Sequence, residues 1–274
     1  DMLRVPGSAG DLAGARAAGA DVRTVYSPLD AVDLAARAPD REVVFFAVGF
    51  ETTAPAAALA ALTARARALR NFSLLMAQVL VPPAMEAILA APSTAVDGFL
   101  AAGHVTTVTG TAIYAPLVAR HRVPVVATGF EPLDLLDGIL RAVRQLEAGR
   151  AEIEIQYERA VQAGGNAAAQ RHVAAVFEAV PRHWRGLGEL PASGLALRAG
   201  YADLDAARRF GAPGPEPHTD ARCRAAQVLT GRLRPDACPE FGATCTPRTP
   251  LGVPMVSAEG ACAAYHRYRA QTTA

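Results

Sequence analysis

A chain of 274 residues, 51% hydrophobic, 19% charged and 6% aromatic, is long enough for a real core and for about two domains. Its 27 basic and 26 acidic residues leave a formal net charge of +1, so no global field marks a nucleic-acid binder. Every basic residue is Arg; without Lys, no P-loop, pyridoxal-phosphate Schiff base or protein-kinase site can form.

In chain order, 22–26 reads as a strand and 29–36 as a helix, followed by a near-continuous apolar run over 42–48 that predicts a buried parallel strand. Residues 55–70 have helical composition and end in an Arg cluster suited to a helix C-terminus. A strand over 73–80 and a short helix over 83–91, with Pro in its first turn, come next. The alternating Val and Thr of 104–109 predict a strand, as does 123–128. Residues 132–147 form the clearest amphipathic pattern, with Leu133, Leu136, Leu140 and Val143 on one face. Residues 154–178 read as mostly helical, broken at Gly164-Gly165, and from Arg182 onward Gly, Pro and Cys leave no regular period. The expected fold is α/β: open parallel sheet(s) flanked by helices over 1–150. Residues 151–274 would form a smaller domain, helical and then loop-rich.

No apolar run approaches the ~20 residues of a membrane helix, and no signal-peptide pattern opens the chain. The first residue is Asp1, which suggests a fragment or a processed chain. Four cysteines confined to 223–262 fit a metal site in a reducing compartment, so a cytoplasmic protein is expected.

One internal echo stands out. VVFFAVGFETTAP from Val43 and VPVVATGFEPLD from Val123 both run apolar strand, Gly-Phe-Glu, then a Pro-containing helix start, 80 residues apart. Loops at the carboxyl ends of parallel strands are where α/β folds place ligands, so Glu51 and Glu131 are candidates for a shared crevice. The plainer alternative is that each Glu complements a helix dipole. Thr52 and Thr53 fit helix caps, His104 a structural histidine, and Trp184, the one Trp, an aromatic plug between domains. Neither a Gly-x-Ser-x-Gly elbow nor a Gly-x-Gly-x-x-Gly fingerprint is present.

Cys223, Cys238, Cys245 and Cys262 are separated by 14, 6 and 16 residues. Four soft thiolates suit zinc or an iron–sulfur cluster, although no Cys-x-x-Cys knuckle is present. His218 and His266 lie near enough in sequence to keep a mixed Cys/His zinc site open.

Taken together, these motifs resemble the hydrogenase maturation factor family HypD. The matching stretches are DMLRVPGS at Asp1, GADVRTVYSPLDA at Gly19, VVFFAVGFETTAP at Val43, DGFLAAGHVTTVTG at Asp97 and VVATGFEPLDLL at Val125. WRGLGELPASGL at Trp184, CPEFGATCTP at Cys238 and MVSAEGACAAY at Met255 extend the likeness over essentially the whole chain. The resemblance implies two α/β domains around a cleft and a third domain in which Cys223, Cys238, Cys245 and Cys262 ligate a [4Fe-4S] cluster. It implies an accessory scaffold with a redox role, rather than a turnover enzyme, in assembly of the Fe(CN)2CO unit of [NiFe] hydrogenases. The implied partners are a small HypC-type chaperone and a HypE-type cyanide donor supplied by HypF, with no nucleic acid and no membrane. Glu51, Thr52, Thr53, His104 and Glu131 fall in the family's motifs as cleft candidates.

The chain departs from the family pattern at several positions. The family's N-terminal cysteines, one of which holds the transient iron unit, have no counterpart in these 274 residues. Gln78 stands where relatives usually have His, Ala225 and Pro254 replace Cys, and Ile155 replaces an Asn before Gln156-Tyr157. The competing expectation is an α/β enzyme acting at a Glu51/Glu131 crevice, its four cysteines holding a structural zinc ion.

Overall fold

The structure, a computed structural model, describes residues 2–5, 7, 10–211 and 220–268. His218 lies outside the described residues. Helix α1 (Leu12–Ala17) is capped by Asp11, and α2 (Pro28–Arg37) by a capping box. In that box Ser27 Oγ accepts from the Leu29 N–H while Asp30 accepts from the Ser27 N–H, with Pro28 in the first turn. Residues 22–26, expected as a strand, form none. Tyr26 is fully exposed, and Asp21 clamps Arg23 and Arg41 across a bend, so no neighbour offers this segment a ladder.

The apolar runs expected as parallel strands are β1 (Val43–Gly49) and β2 (Phe72–Gln78), joined by α3 (Ala54–Ala66) and paired in register from Val43↔Phe72 to Gly49↔Gln78. The buried face of α3 is alanine throughout (Ala54, Ala57, Ala58, Ala60, Ala61 and Ala64), so its neighbours approach closely. Asn71 fastens the unit: its Nδ2 donates to the carbonyls of Ala38 (2.9 Å) and Arg41 (2.8 Å), tying the end of α2 to the start of β2.

After α4 (Val81–Ala90), a second parallel sheet is built from β3 (Phe99–Ala102), β4 (Val125–Thr128) and β5 (Ile153–Ile155), in the order β3-β4-β5. Between β3 and β4 lie α5 (Gly103–Thr109) and α6 (Ala115–His121). Residues 104–109 are therefore helix, not strand. The threonines that suggest β structure hydrogen-bond back along the helix instead, Thr106 to the Ala102 carbonyl, Thr107 to Gly103 and Thr109 to Val105. The two halves of the internal echo are thus equivalent strand ends of two different sheets.

Helix α7 (Pro132–Glu147) has the expected bounds but the opposite orientation. Leu133, Leu136, Leu140 and Val143 are exposed, and the buried residues are Asp134, Gly138 and Gln145. Polar fastenings set this orientation. Gln145 donates to Glu154 (2.7 Å) and accepts from the Glu152 N–H (2.8 Å), and Asp134 binds Gln156 and Arg159, so the helix is held by its polar side to the segment around β5. Gly138 lies against Thr128, where no side chain fits.

Residues 154–178 contain one helix, α8 (Ala167–Val176), capped by Asn166 accepting from the Ala168 and Ala169 N–H groups. The region read as loop-rich opens with a long antiparallel hairpin, β6 (Phe177–Trp184) and β7 (Gly188–Leu197). Pro181 coincides with its register irregularity between Val180 and Arg182, which hides the strand pattern from a period-2 reading. The hairpin belongs to the first lobe: Val176, Phe177, Leu195 and Leu197 share a core with Val32, Phe72, Leu74 and the α3 alanines. A second core (Met85, Leu89, Ala101, Tyr114, Leu117, Val125) fills the lobe of the three-stranded sheet. Short elements follow: α9 (Ala206–Phe210), α10 (Ala225–Leu229), α11 (Val253–Val256) and α12 (Ala261–Tyr268), the last two contributing to a small cluster of Cys245, Met255 and Ala263. No helix among the described residues is long and apolar enough to cross a membrane.

Candidate functional site

Three groups of candidate residues emerge, one at the end of β1, one beside the starts of α5 and α7, and one in the C-terminal unit. At the end of β1 the chain turns through Gly49 (φ +135°) and exposes Phe50, then buries Glu51 at 7% exposure. Glu51 Oε1 accepts from the Val81 N–H at 2.8 Å. Val81 opens α4, where the next two residues are Pro82 and Pro83 and carry no N–H, and the flanking Leu80 offers no capping oxygen. Glu51 therefore caps α4 from another loop, its carboxylate facing the positive end of the helix. Burial raises the pKa of this carboxyl, the backbone N–H groups of Glu51 and Val81 opposing it, and Oε2 is buried with no partner.

Thr53 occupies the N-cap position of α3 but does not cap it. Its hydroxyl donates to the Phe50 carbonyl and accepts from Gln78 Nε2, each at 3.1 Å. Gln78 is fully buried and its Oε1 has no partner. Thr52 is exposed. Across the lobes the charge of Glu51 reaches Tyr114, a fully buried phenol that shares a hydrogen bond with Thr106 Oγ1 (3.2 Å) and whose pKa is raised first by burial.

His104, exposed in the first turn of α5, stacks on Phe130 (ring centroids 4.8 Å) and stands edge-on to Tyr157 (6.1 Å). Tyr157 lies where Gly103 and Gly129 leave room, with the Arg159 guanidinium 4.4 Å from its ring centre. Arg159 forks onto Asp134, with Nη1 to Oδ1 at 2.8 Å and Nη2 to Oδ2. The same Asp134 accepts from Gln156 Nε2 (3.0 Å), whose Oε1 takes the Gly129 N–H. Arg159 and Gln156 hold the Asp134 carboxyl down at about 2. Glu131, by contrast, stands at the N-cap position of α7 with its side chain 80% exposed, 3.9 Å from Arg159. The two glutamates of the echo thus occupy unlike environments, one buried and one open. Sequence reading singled out His104 and Glu131 but missed Tyr157, Arg159 and Asp134. The signal was present in Gly103 and Gly129, two glycines beside motif residues whose missing side chains make room for one ring.

In the C-terminal unit, Cys223, Cys238, Cys245 and Cys262 all line one small, partly open cavity, with Phe241, Leu251, Pro254 and Met255 as apolar walls. Backbone bonds wind the 238–245 loop tightly: Phe241 N–H to the Cys238 carbonyl (3.0 Å), Cys245 N–H to Glu240 (2.8 Å) and Gly242 N–H to Cys245 (3.1 Å). Gly242 takes the left-handed conformation this turn requires (φ +73°). Amide donors face the sulfurs, the Leu251 N–H on Cys245 Sγ at 3.5 Å and the Ala225 N–H on Cys223. Burial, followed by the neighbouring cysteines, pushes the Cys262 thiol up to about 11, and burial raises Cys223 as well. All four are free of disulfides. Among the described residues no three His, Cys, Asp or Glu side chains converge as ligands of a single ion; the four sulfurs open instead onto a shared cavity. His266 lies tilted against Phe241, one of the cavity walls, with ring centroids 5.8 Å apart.

Two parallel-sheet lobes with a separate unit that gathers four free thiols around one cavity define an α/β protein with a cysteine-lined C-terminal unit. The profile of the HypD family, described as the hydrogenase formation hypA family, matches residues 1–269, and the chain belongs to that family. It is 48% identical over 273 residues to the hydrogenase maturation factor HypD of Rhodobacter capsulatus, covering 98% of this chain and 72% of the relative. Likewise it is 48% identical to that of Azotobacter vinelandii (100% and 74%) and 44% identical to that of Escherichia coli K12 (99% and 73%).

Proposed function

We propose that this chain serves hydrogenase maturation as an iron–sulfur scaffold, with Cys223, Cys238, Cys245 and Cys262 holding a [4Fe-4S] cluster. The observation that carries the reading is the single cavity lined by four free thiols, two of them facing backbone N–H donors. Amide-to-sulfur bonds and an apolar shell are what stabilise thiolate charge around a cluster. The cluster, once bound, supplies one-electron storage and transfer.

The interlobe residues are proposed to receive the iron cargo, the Fe(CN)2CO unit, together with a small HypC-type chaperone and a HypE-type cyanide donor, in the cytoplasm. In this reading Glu51 holds a proton in a dry setting, Thr52 and Thr53 line the first lobe's rim, and His104 and Glu131 line the second lobe's. Support comes from Glu51 and Gln78, buried at neighbouring strand ends with carboxyl and amide oxygens left unpartnered.

The deciding experiment is anaerobic purification followed by assay of iron, acid-labile sulfide and zinc, on wild type and on Cys245→Ala. About four irons and four sulfides per chain in the wild type, lost in the variant, support the reading. Zinc without sulfide refutes it and favours the structural four-cysteine zinc site of an α/β enzyme.

A further inference from the structure

Gly252 does not need to be glycine for the sake of its own backbone. Its φ and ψ are −152° and 163°, extended values that any residue adopts. It sits at the N-cap position of α11, where Ser, Asn or Asp would serve the helix as well or better. The structure instead uses the space its missing side chain leaves. A Cβ at Gly252 would collide with Cys223 Sγ, while Cys223 Cβ (3.5 Å) and Ala225 Cβ (3.8 Å) would be in ordinary contact. The sulfur is thus the one atom that glycine accommodates. The preceding residue acts on a second thiol, the Leu251 N–H donating to Cys245 Sγ at 3.5 Å. Two consecutive residues, some thirty positions along the chain from Cys223, therefore set where two of the four sulfurs lie in the cavity.

We infer that Gly252 is a positioning residue for the bound group: its bare backbone lets Cys223 Sγ point into the four-thiol cavity. The inference rests on the cluster reading above. A Cys sulfur has one torsion by which to escape, so a methyl at position 252 turns it out of the cavity at little cost to the fold. The metal-free Gly252→Ala protein folds as wild type does, and its defect shows only on loading. Displaced ligand shells typically lose metal 10–100-fold more readily.

The test compares wild type, Gly252→Ala and Gly200→Ala, the last a glycine with open space where its Cβ would stand. Each is reconstituted anaerobically with iron and sulfide, then followed by electron paramagnetic resonance after reduction and by iron release to a chelator. Gly252→Ala is expected to keep the far-ultraviolet dichroism and melting temperature of the metal-free wild type. It should also give a shifted resonance spectrum and release iron at least about tenfold faster, with Gly200→Ala unchanged. A wild-type spectrum and release rate in a folded Gly252→Ala overturns the inference. If Gly252→Ala misfolds, Cys223→Ala/Gly252→Ala is compared with Cys223→Ala. Recovery of the fold in the double variant ties the defect to the Sγ collision, and continued misfolding overturns the inference. A wild type that loads zinc without sulfide defeats the cluster reading alone, since Gly252→Ala can then be scored by zinc release.

Discussion

Glu51 caps a helix it does not belong to, and this makes a two-variant prediction. Glu51→Ala leaves the part-buried Val81 N–H without its acceptor, because Pro82 and Pro83 cannot reorganise the first turn around it. An unpaired buried donor costs about 1–3 kcal/mol, which at 1.4 kcal/mol per decade is a roughly 5- to 150-fold gain in local opening. Hydrogen exchange of the Val81 amide should speed up by that factor. Glu51→Gln keeps an acceptor there and should leave the amide protected. The same variant separates charge from hydrogen bonding. Because burial raises the folded-state pKa of Glu51 above its ordinary 4.5, the carboxyl holds its proton more tightly folded than unfolded. Its contribution is fully present below pH 4.5 and is lost as pH rises through the folded value. Wild type should therefore lose stability relative to Glu51→Gln as the pH is raised from about 4, in denaturant titrations at a series of pH values. Unchanged Val81 exchange in Glu51→Ala, or a difference between wild type and Glu51→Gln that does not grow with pH, refutes the reasoning.

Asp134 titrates in the opposite sense. Its carboxyl is lowered from 3.8 to about 2 by Arg159 and Gln156, so its contribution is present above about pH 4 and lost as pH falls toward 2. Asp134→Asn should flatten the acid limb of thermal stability in that window, and an unaltered limb would contradict the pairing. Gly138→Ala drives a Cβ into the buried Thr128 and is expected to lower stability by about 1–3 kcal/mol. Leu136→Ala, on the exposed face of the same helix, should stay within about 0.5 kcal/mol. Denaturation midpoints of the pair check the orientation of α7, and equal losses would refute it.

Much of the first 150 residues was legible because buried parallel strands carry continuous apolar runs, and β1, β2, β4 and the bounds of α7 follow from them. The failures have particular causes. Thr106, Thr107 and Thr109 mimic a strand by composition but satisfy their hydroxyls on helix carbonyls. The apolar stripe of α7 predicts the helix and misleads about its buried side, because the bonds of Asp134 and Gln145 are made with residues beyond the helix, around β5. The β6–β7 hairpin is concealed by Pro181 and Pro191 and by Ala192 at φ +48°, within the irregular stretch that lets Ser193 accept from the Leu80 N–H. The gathering of the four cysteines around one cavity was foreshadowed by their clustering within 223–262. The role of Glu51 was not, since nothing in its own loop names Val81 as its partner.

The same long-range logic relates the cysteine unit to both lobes. The turn of the β6–β7 hairpin places Gly186 against Ala225, two residues from Cys223, where the absent side chain of Gly186 allows the close approach. From the other lobe, the Ala95 N–H donates to the Thr230 carbonyl at 2.8 Å, at the far end of α10. Helix α10, five residues long and adjoining the first cysteine, is therefore gripped at one end by each lobe. Trp184 stabilises the hairpin side of this grip, its indole N–H donating to Ser193 Oγ at 3.0 Å across the two strands, so its work is within the hairpin. A change in the spacing of the lobes would act on both ends of α10, which begins two residues from Cys223. The unit that gathers the thiols is thereby fastened to both lobes by a hydrogen bond and close packing, although its own core consists of little more than Cys245, Met255 and Ala263.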